Sequence, residues 1–320
     1  MAEGWDDAAK NVVVKAPGSI ANLGPGFDIL AMAISAFQDT VEVSLAPGNG
    51  KISVSSEGFN VPSGEHNVAY AVAKGFIERY SIRDVDLYIK IIKGVPPALG
   101  LGSSGATSAA TAFALSKLFK LNMSDDELLY LSGLGEAFAA SSPHYDNVAA
   151  SLFGGFVIID INRNRVYSFK PSMRISIAIV TPKLPEFTGR RKTEYARSLL
   201  PKQIDLDKHI RQSSSLAKLI YALLSGNIEL FGEAVSTDVV VEPYRAAMIP
   251  YYYELKRLAH DYGALGFNIS GAGPSVFSIH RTSEEAGYVG KKLKEFLVSK
   301  GVECDYIVSQ VSEIGVKLLR

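Results

Sequence analysis

An α+β fold in two domains is what this sequence predicts, and three observations predict it. The chain has 320 residues, enough for two domains or one large one with a buried core. β-branched strands, several alternating apolar with polar, are interleaved with helical runs, as when helices cover one face of an antiparallel sheet. Near Pro171 a strand pair ends and ISIAIVT (175–181) opens a new sheet, dividing the chain at 1–171 and 172–320.

The elements follow in order. Residues 11–16 (NVVVKA) are a strand. Residues 17–28 hold three glycines and two prolines, which predicts an irregular loop, and an ordered loop that long is usually functional. Asn22 and Asp28 are its polar members: they either close Asx-turns or point into a cleft. Residues 40–45 and 51–55 alternate in polarity and read as antiparallel strands with one solvated face. Residues 67–80 form an amphipathic helix, and 85–92 an apolar strand. Ser124-Asp125-Asp126-Glu127 is a capping box opening a helix to about residue 140, with Glu136 near its end among glycines and alanines. A polar cluster, SSPHYDN (141–147), breaks that helix. Residues 156–161 and 166–169 pair across the turn 162–164. In the second half Thr193 caps a helix over 194–200 that carries Arg197. Helices over 206–224, 228–235, 249–262 and 284–299 follow, with strands at 267–270, 276–280 and 305–311.

The centre of the chain is residues 94–110, GVPPALGLGSSGATSAA, placed between a strand and an Ala-rich helix. Glycines let backbone approach a phosphate, and the free N–H groups of a helix N-terminus favour an anion. Serines in the first turn cap the helix or reach a metal ion. The bland alternative is a tight turn with a cap, against which stand Pro96-Pro97 and the second glycine. There is no G-x-x-x-x-G-K-[ST], hence no P-loop lysine, and no dinucleotide G-x-G-x-x-G.

Composition narrows the class. Lys plus Arg and Asp plus Glu are 33 each, which argues against a partner such as nucleic acid bound through a broad electrostatic footprint and leaves room only for a local basic patch. No apolar run approaches a membrane span, the acidic N-terminus lacks a signal-peptide layout, and the single Cys304 suits a reducing cytoplasm. The five histidines are scattered, so a dedicated zinc site is not expected.

Pro96-Pro97-Ala98-Leu99-Gly100-Leu101-Gly102-Ser103-Ser104 resembles the ATP-binding motif of the GHMP kinases. Two further motifs lie in that superfamily's order, APGSIANLGPGFD (16–28) and SGAGPS (270–275). Within it, ANLGPGFD, SPHYDNVAASLFGG, the T-x-x-A-R-x-L-L-P run and EPYR most resemble the homoserine kinases. The resemblance implies a ribosomal S5 domain 2-like first domain, a ferredoxin-like second one and an active site between them. It further implies ATP bound by the nine loop residues from Pro96 to Ser104 with Gly271 and Gly273, and Mg²⁺ on Ser104 and Glu136. L-homoserine would place its carboxylate on Arg197 and Arg245 and its ammonium on Asn22 and Asp28, with His144 close by. A homodimer in the cytoplasm is the expected assembly. Ile20 stands where mevalonate kinases carry a lysine, so direct in-line transfer is expected. The nearest alternatives are a mevalonate or shikimate kinase, which the Asp28 carboxylate disfavours, and a non-catalytic binding protein, which intact Ser104 and Glu136 disfavour.

Overall fold

The structure, a computed structural model, describes residues 11–140, 145–163, 165–184 and 190–320. Trp5, His144 and part of the 162–164 turn lie outside them.

The first half runs β1 (Asn11–Ala21), β2 (Leu30–Pro47), β3 (Ile52–Gly58), α1 (Val68–Tyr80), β4 (Val85–Lys93), α2 (Ser103–Leu118), α3 (Asp125–Ala140), α4 (Tyr145–Phe153), β5 (Phe156–Asp160) and β6 (Arg165–Phe169). The second half runs β7 (Ser176–Pro182), α5 (Arg190–Ser198), α6 (Leu206–Ser225), α7 (Ile228–Val235), α8 (Glu242–Arg245), α9 (Tyr252–Asp261), β8 (Gly266–Ile269), β9 (Val276–His280), α10 (Ser283–Ser299), β10 (Cys304–Gln310) and β11 (Lys317–Leu318). Among the described residues, β11-β1-β2-β4-β3 with β5 and β6 make one seven-stranded sheet, and β10-β7-β9-β8 a four-stranded antiparallel one. The last strand, β11, therefore returns to the first sheet. One apolar core runs from β1, β2 and α2 through Phe156 and Phe231, whose rings meet edge-on at 5.8 Å, to β7 and β9.

α2 is buried on nearly every side, which explains its Ala, Ser and Thr content: only small side chains let a helix sit between a sheet and neighbouring helices. The Ser124 capping box forms, with the Ser124 N–H donating to Glu127 (3.0 Å) and the Glu127 N–H to Ser124 Oγ (3.3 Å). α3 ends at Ala140.

The structure corrects three local readings. Residues 17–21, expected to be irregular, continue β1 against β2. The register jumps at Pro17 and Gly18, where β2 carries extra residues, so the proline falls at a bulge that needs no N–H from it. β3 pairs parallel with β4 rather than with β2. Asp86, at the start of β4, accepts the N–H groups of Asn49 (2.9 Å) and Lys51 (2.8 Å), so the β2–β3 connection is held to β4, and α1 provides the crossover a parallel pair needs. Thr193 lies inside α5, not at its cap.

The three glycine-bearing segments read from the sequence meet at one place. The Ser19 N–H donates to the Leu101 carbonyl (3.0 Å), and Ser270 Oγ to the Gly100 carbonyl (2.6 Å). A Cβ at Gly100 would lie 2.1 Å from the Ser270 carbonyl oxygen, and one at Gly102 would lie 1.9 Å from Ser19 Oγ. Gly100 therefore carries two demands, a positive φ of 79° and the room its neighbour takes. Gly64 has a φ of 64° with open space around it, so it carries only the first. Gly100→Ala should destabilise the fold by at least about 2 kcal/mol and Gly64→Ala by about 1 kcal/mol. Denaturant unfolding checks this; equal costs would mean the segments do not press on each other.

Candidate active site

The glycine loop is anchored at both ends by one buried cluster. Asp39, on β2, sends Oδ1 to the N–H groups of Gly94 (3.0 Å) and Val95 (2.9 Å), which begin the loop. Its Oδ2 accepts from Thr107 Oγ1 (2.6 Å) and from the Lys93 ammonium. Lys93 also donates to the Ser103 carbonyl (2.6 Å), where the loop ends, and to Thr107 Oγ1 (2.9 Å). All three ammonium protons are thus used. Burial pulls Lys93 below its ordinary pKa, while Asp39 opposes that fall. Gly102 is the N-cap of α2, and its serine neighbour does not cap: Ser103 Oγ donates instead to the Val95 carbonyl (2.9 Å), tightening the loop. Ser104 is left facing the cavity.

That cavity, about 590 Å³, lies over the loop and is closed from the second half of the chain by α5, α8 and the turn after β8. On its α3 side Glu136 is 5% exposed, and burial pushes its pKa up to about 7. A hydrogen bond from Ser104 and the charge of Lys93 oppose this, and Asp146 adds to it. Glu136 Oε1 is buried with no hydrogen-bond partner among the described residues. Asp146, at the start of α4, is pushed up to about 6 by burial and by Asp28. Among the described residues no cluster of three or more His, Cys, Asp or Glu could hold a metal ion. An orphaned carboxylate oxygen beside a serine hydroxyl does suit Mg²⁺, which takes one or two carboxylates and draws its other oxygens from phosphate and water.

The opposite side is cationic. Arg245, from α8, is 5% exposed and donates to the Gly271 carbonyl (2.8 Å). Its Nε is buried and unpartnered among the described residues, and burial lowers its pKa to about 10, so it stays charged at neutral pH. Arg197, on α5, meets Asp28 at 2.5 Å. The guanidinium groups of Arg197 and Arg245 stand over Phe27, at 5.4 and 5.0 Å respectively from the ring centroid, which holds their planes in place. Asn22 spans the motifs: its Nδ2 donates to the Gly271 carbonyl (3.0 Å), and its Oδ1 accepts the Asp28 N–H (3.2 Å). Asn22, Asp28 and Ala98 all have positive φ, so the loops around this cavity hold backbone strain.

Comparison with known proteins agrees with this geometry. Residues 67–155 match the GHMP kinases N terminal domain and residues 219–299 the GHMP kinases C terminal domain. A homoserine kinase of Pyrococcus furiosus is 35% identical over 93% of this chain and 97% of its own. One of Methanococcus maripaludis is 41% identical over 84% and 88%. The chain belongs to the homoserine kinase family of the GHMP kinases. A crystal structure of homoserine kinase from Cytophaga hutchinsonii superposes with a TM-score of 0.88 over 99% of each chain, at 30% identity. The L. major mevalonate kinase solved with R-mevalonate shares the fold alone, with a TM-score of 0.71 at 15% identity over 93% of this chain and 94% of that one.

With the family known, the residues read from the sequence can be placed. Asn22, Asp28, Arg197, Arg245, Ser104 and Glu136 all line the cavity, as do Pro97, Ala98, Gly271 and the loop from Gly100 to Ser103. Pro96, Leu99 and Gly273 are not among its lining residues. The Leu99 carbonyl accepts the Ser275 N–H (3.4 Å), and the Gly273 carbonyl accepts from Lys192. His144 is outside the described residues. Sequence reasoning missed Lys192 and Asp146, which line the cavity, and the Asp39–Lys93–Thr107 cluster. Asp146 and Asn147 sat inside the SPHYDN segment without being singled out. Lys93 lay one residue past the strand read over 85–92, which the structure extends to include it.

Removing one partner of a buried ion pair leaves the other charge uncompensated, which costs about 3 to 5 kcal/mol. Asp39→Asn should lose that much stability, and Asp39→Asn with Lys93→Met should recover most of it, measured by chemical unfolding. A loss below about 1 kcal/mol in the single variant would show that the pair does not hold the loop.

Proposed function

We propose that the protein transfers the γ-phosphoryl group of ATP to the side-chain hydroxyl of L-homoserine, giving O-phospho-L-homoserine. The observation that carries this reading is the Asp28–Arg197 pair with Arg245 beside the glycine loop: one carboxylate and two guanidinium groups complement a zwitterion. The curated relatives named above support the same acceptor.

In this reading the loop from Gly100 to Ser104 holds the ATP phosphates on backbone N–H groups at the start of α2. Ser104 and Glu136 would hold Mg²⁺, which when bound neutralises phosphate charge. Arg245, with an Nε left to pair, and Arg197 receive the acceptor's carboxylate. Asp28 receives its ammonium, held in place by the bond from its own N–H to Asn22. The hydroxyl is then directed at the phosphate side of the cavity. Positioning and the surrounding cations supply most of the rate, because a loose phosphoryl-transfer transition state asks for little help from a strong base.

The reading is tested on Asp28. Asp28→Asn keeps the side-chain shape and removes the charge opposite the ammonium, which should raise the KM for L-homoserine roughly ten- to a hundredfold while the KM for ATP stays near wild type. The deaminated analogue 4-hydroxybutyrate should be a poor acceptor for wild type and no poorer for the variant. Turnover abolished at saturating L-homoserine, with KM unchanged, would place Asp28 on the hydroxyl and overturn the assignment of the ammonium to it.

A further inference from the structure

Lys192 is a second buried lysine in the cavity, and its surroundings differ from those of Lys93. It is 4% exposed and reaches from α5 to two of the glycine-bearing segments, donating to the Ala98 carbonyl (2.9 Å) and to the Gly273 carbonyl. Two carbonyls leave one ammonium proton unused. Lys93 has a carboxylate against it; Lys192, among the described residues, has none. The charged and titratable groups sharing its cavity are Lys93, Arg197, Arg245 and His66 and the carboxylates of Asp28, Glu136 and Asp146. Of these, Arg245 acts on it, by repulsion.

A buried cation held between carbonyls, with no counter-charge and beside a glycine loop, is arranged for an anion that arrives with the ligand. We infer that Lys192 is a nucleotide-contacting residue, whose ammonium, steadied by Ala98 and Gly273, donates its third N–H to the terminal phosphates. It would supply the cation that a P-loop takes from its own lysine, here from a helix that also carries Arg197. The inference rests on the proposed ATP-dependent activity and deepens it. Burial and Arg245 lower the pKa of Lys192 to about 7, so a fraction of the free protein carries it neutral near physiological pH. An incoming polyphosphate raises that pKa again, and the neutral amine takes up a proton on binding to become the ammonium. The sign follows: affinity for ATP fades as pH rises through about 7.

The test is calorimetry on the full chain with ATP and, separately, adenosine, in EDTA and in buffers of different ionisation enthalpy. Lys192→Met should weaken ATP about ten- to a hundredfold and leave adenosine within about threefold. At pH 7.5 wild type should take up more protons with ATP than Lys192→Met does, by roughly half a proton or more. The difference isolates Lys192, because Glu136, Asp146 and His66 are present in both. Lys192→Arg, charged throughout, should keep its ATP affinity where the wild-type affinity fades; this arm also serves if Lys192→Met does not fold. Equal loss of ATP and adenosine affinity, or equal proton uptake in both proteins, would make Lys192 a structural clamp and overturn the inference. No binding of ATP by wild type would overturn the kinase reading itself, and this inference with it.

Discussion

The structure of the cavity depends on a buried carboxylate, Asp39, behind the glycine loop and on the Lys93 ammonium paired with it at the cavity wall. Asp39 and Lys93 are both buried, and between them they fix the first residues of the glycine loop, Gly94 and Val95, and its last carbonyl, at Ser103. A flexible loop with three glycines would otherwise sample many conformations, and ordering it costs about 1 to 2 kcal/mol per residue. Because the pair sits behind the loop and Thr107 joins it to α2, that cost is met in the folded protein before any ligand binds. The N–H groups at the start of α2 are consequently preorganised for an anion.

The same economy appears where the glycine-bearing segments press together. Gly100 and Gly102 are glycine because Ser270 and Ser19 occupy the space a Cβ would need. Residues from both halves of the chain thereby line one cavity, with phosphate-type donors on one side and Asp28, Arg197 and Arg245 on the other. Lys192 lies across the boundary, tied to Ala98 and to Gly273 and carried on the same helix as Arg197. A chain with zero net charge thus concentrates charge of both signs at one site, which is what a site for a polyphosphate and a zwitterion requires.

Much of this was legible in the sequence, and the exceptions have physical causes. The glycine loop, the capping box at Ser124, and the polar residues Asn22, Asp28 and Glu136 were found because local chemistry marks them. Residues 17–21 were misread because proline and glycine usually break a strand, and only the extra residues of β2 opposite Pro17 reveal the bulge that admits them. The place of β4 between β2 and β3 depends on Asp86 holding a turn more than 30 residues earlier in the chain. Lys93, Asp39 and Lys192 look like ordinary solvated charges in sequence, since burial of a charge is settled by the far partners that satisfy it. Asp146 was hidden for a similar reason: its environment comes from β1, α8 and the loop before β2.

The acceptor decides the account. The most direct measurement is coupled ADP release by the purified protein with ATP and Mg²⁺, supplying L-homoserine, mevalonate, shikimate or galactose in turn. The account expects efficient turnover with L-homoserine and kcat/KM at least about a hundredfold lower for the three acceptors without an ammonium group, since each leaves Asp28 without its cation. Faster turnover of any of those three than of L-homoserine would contradict it.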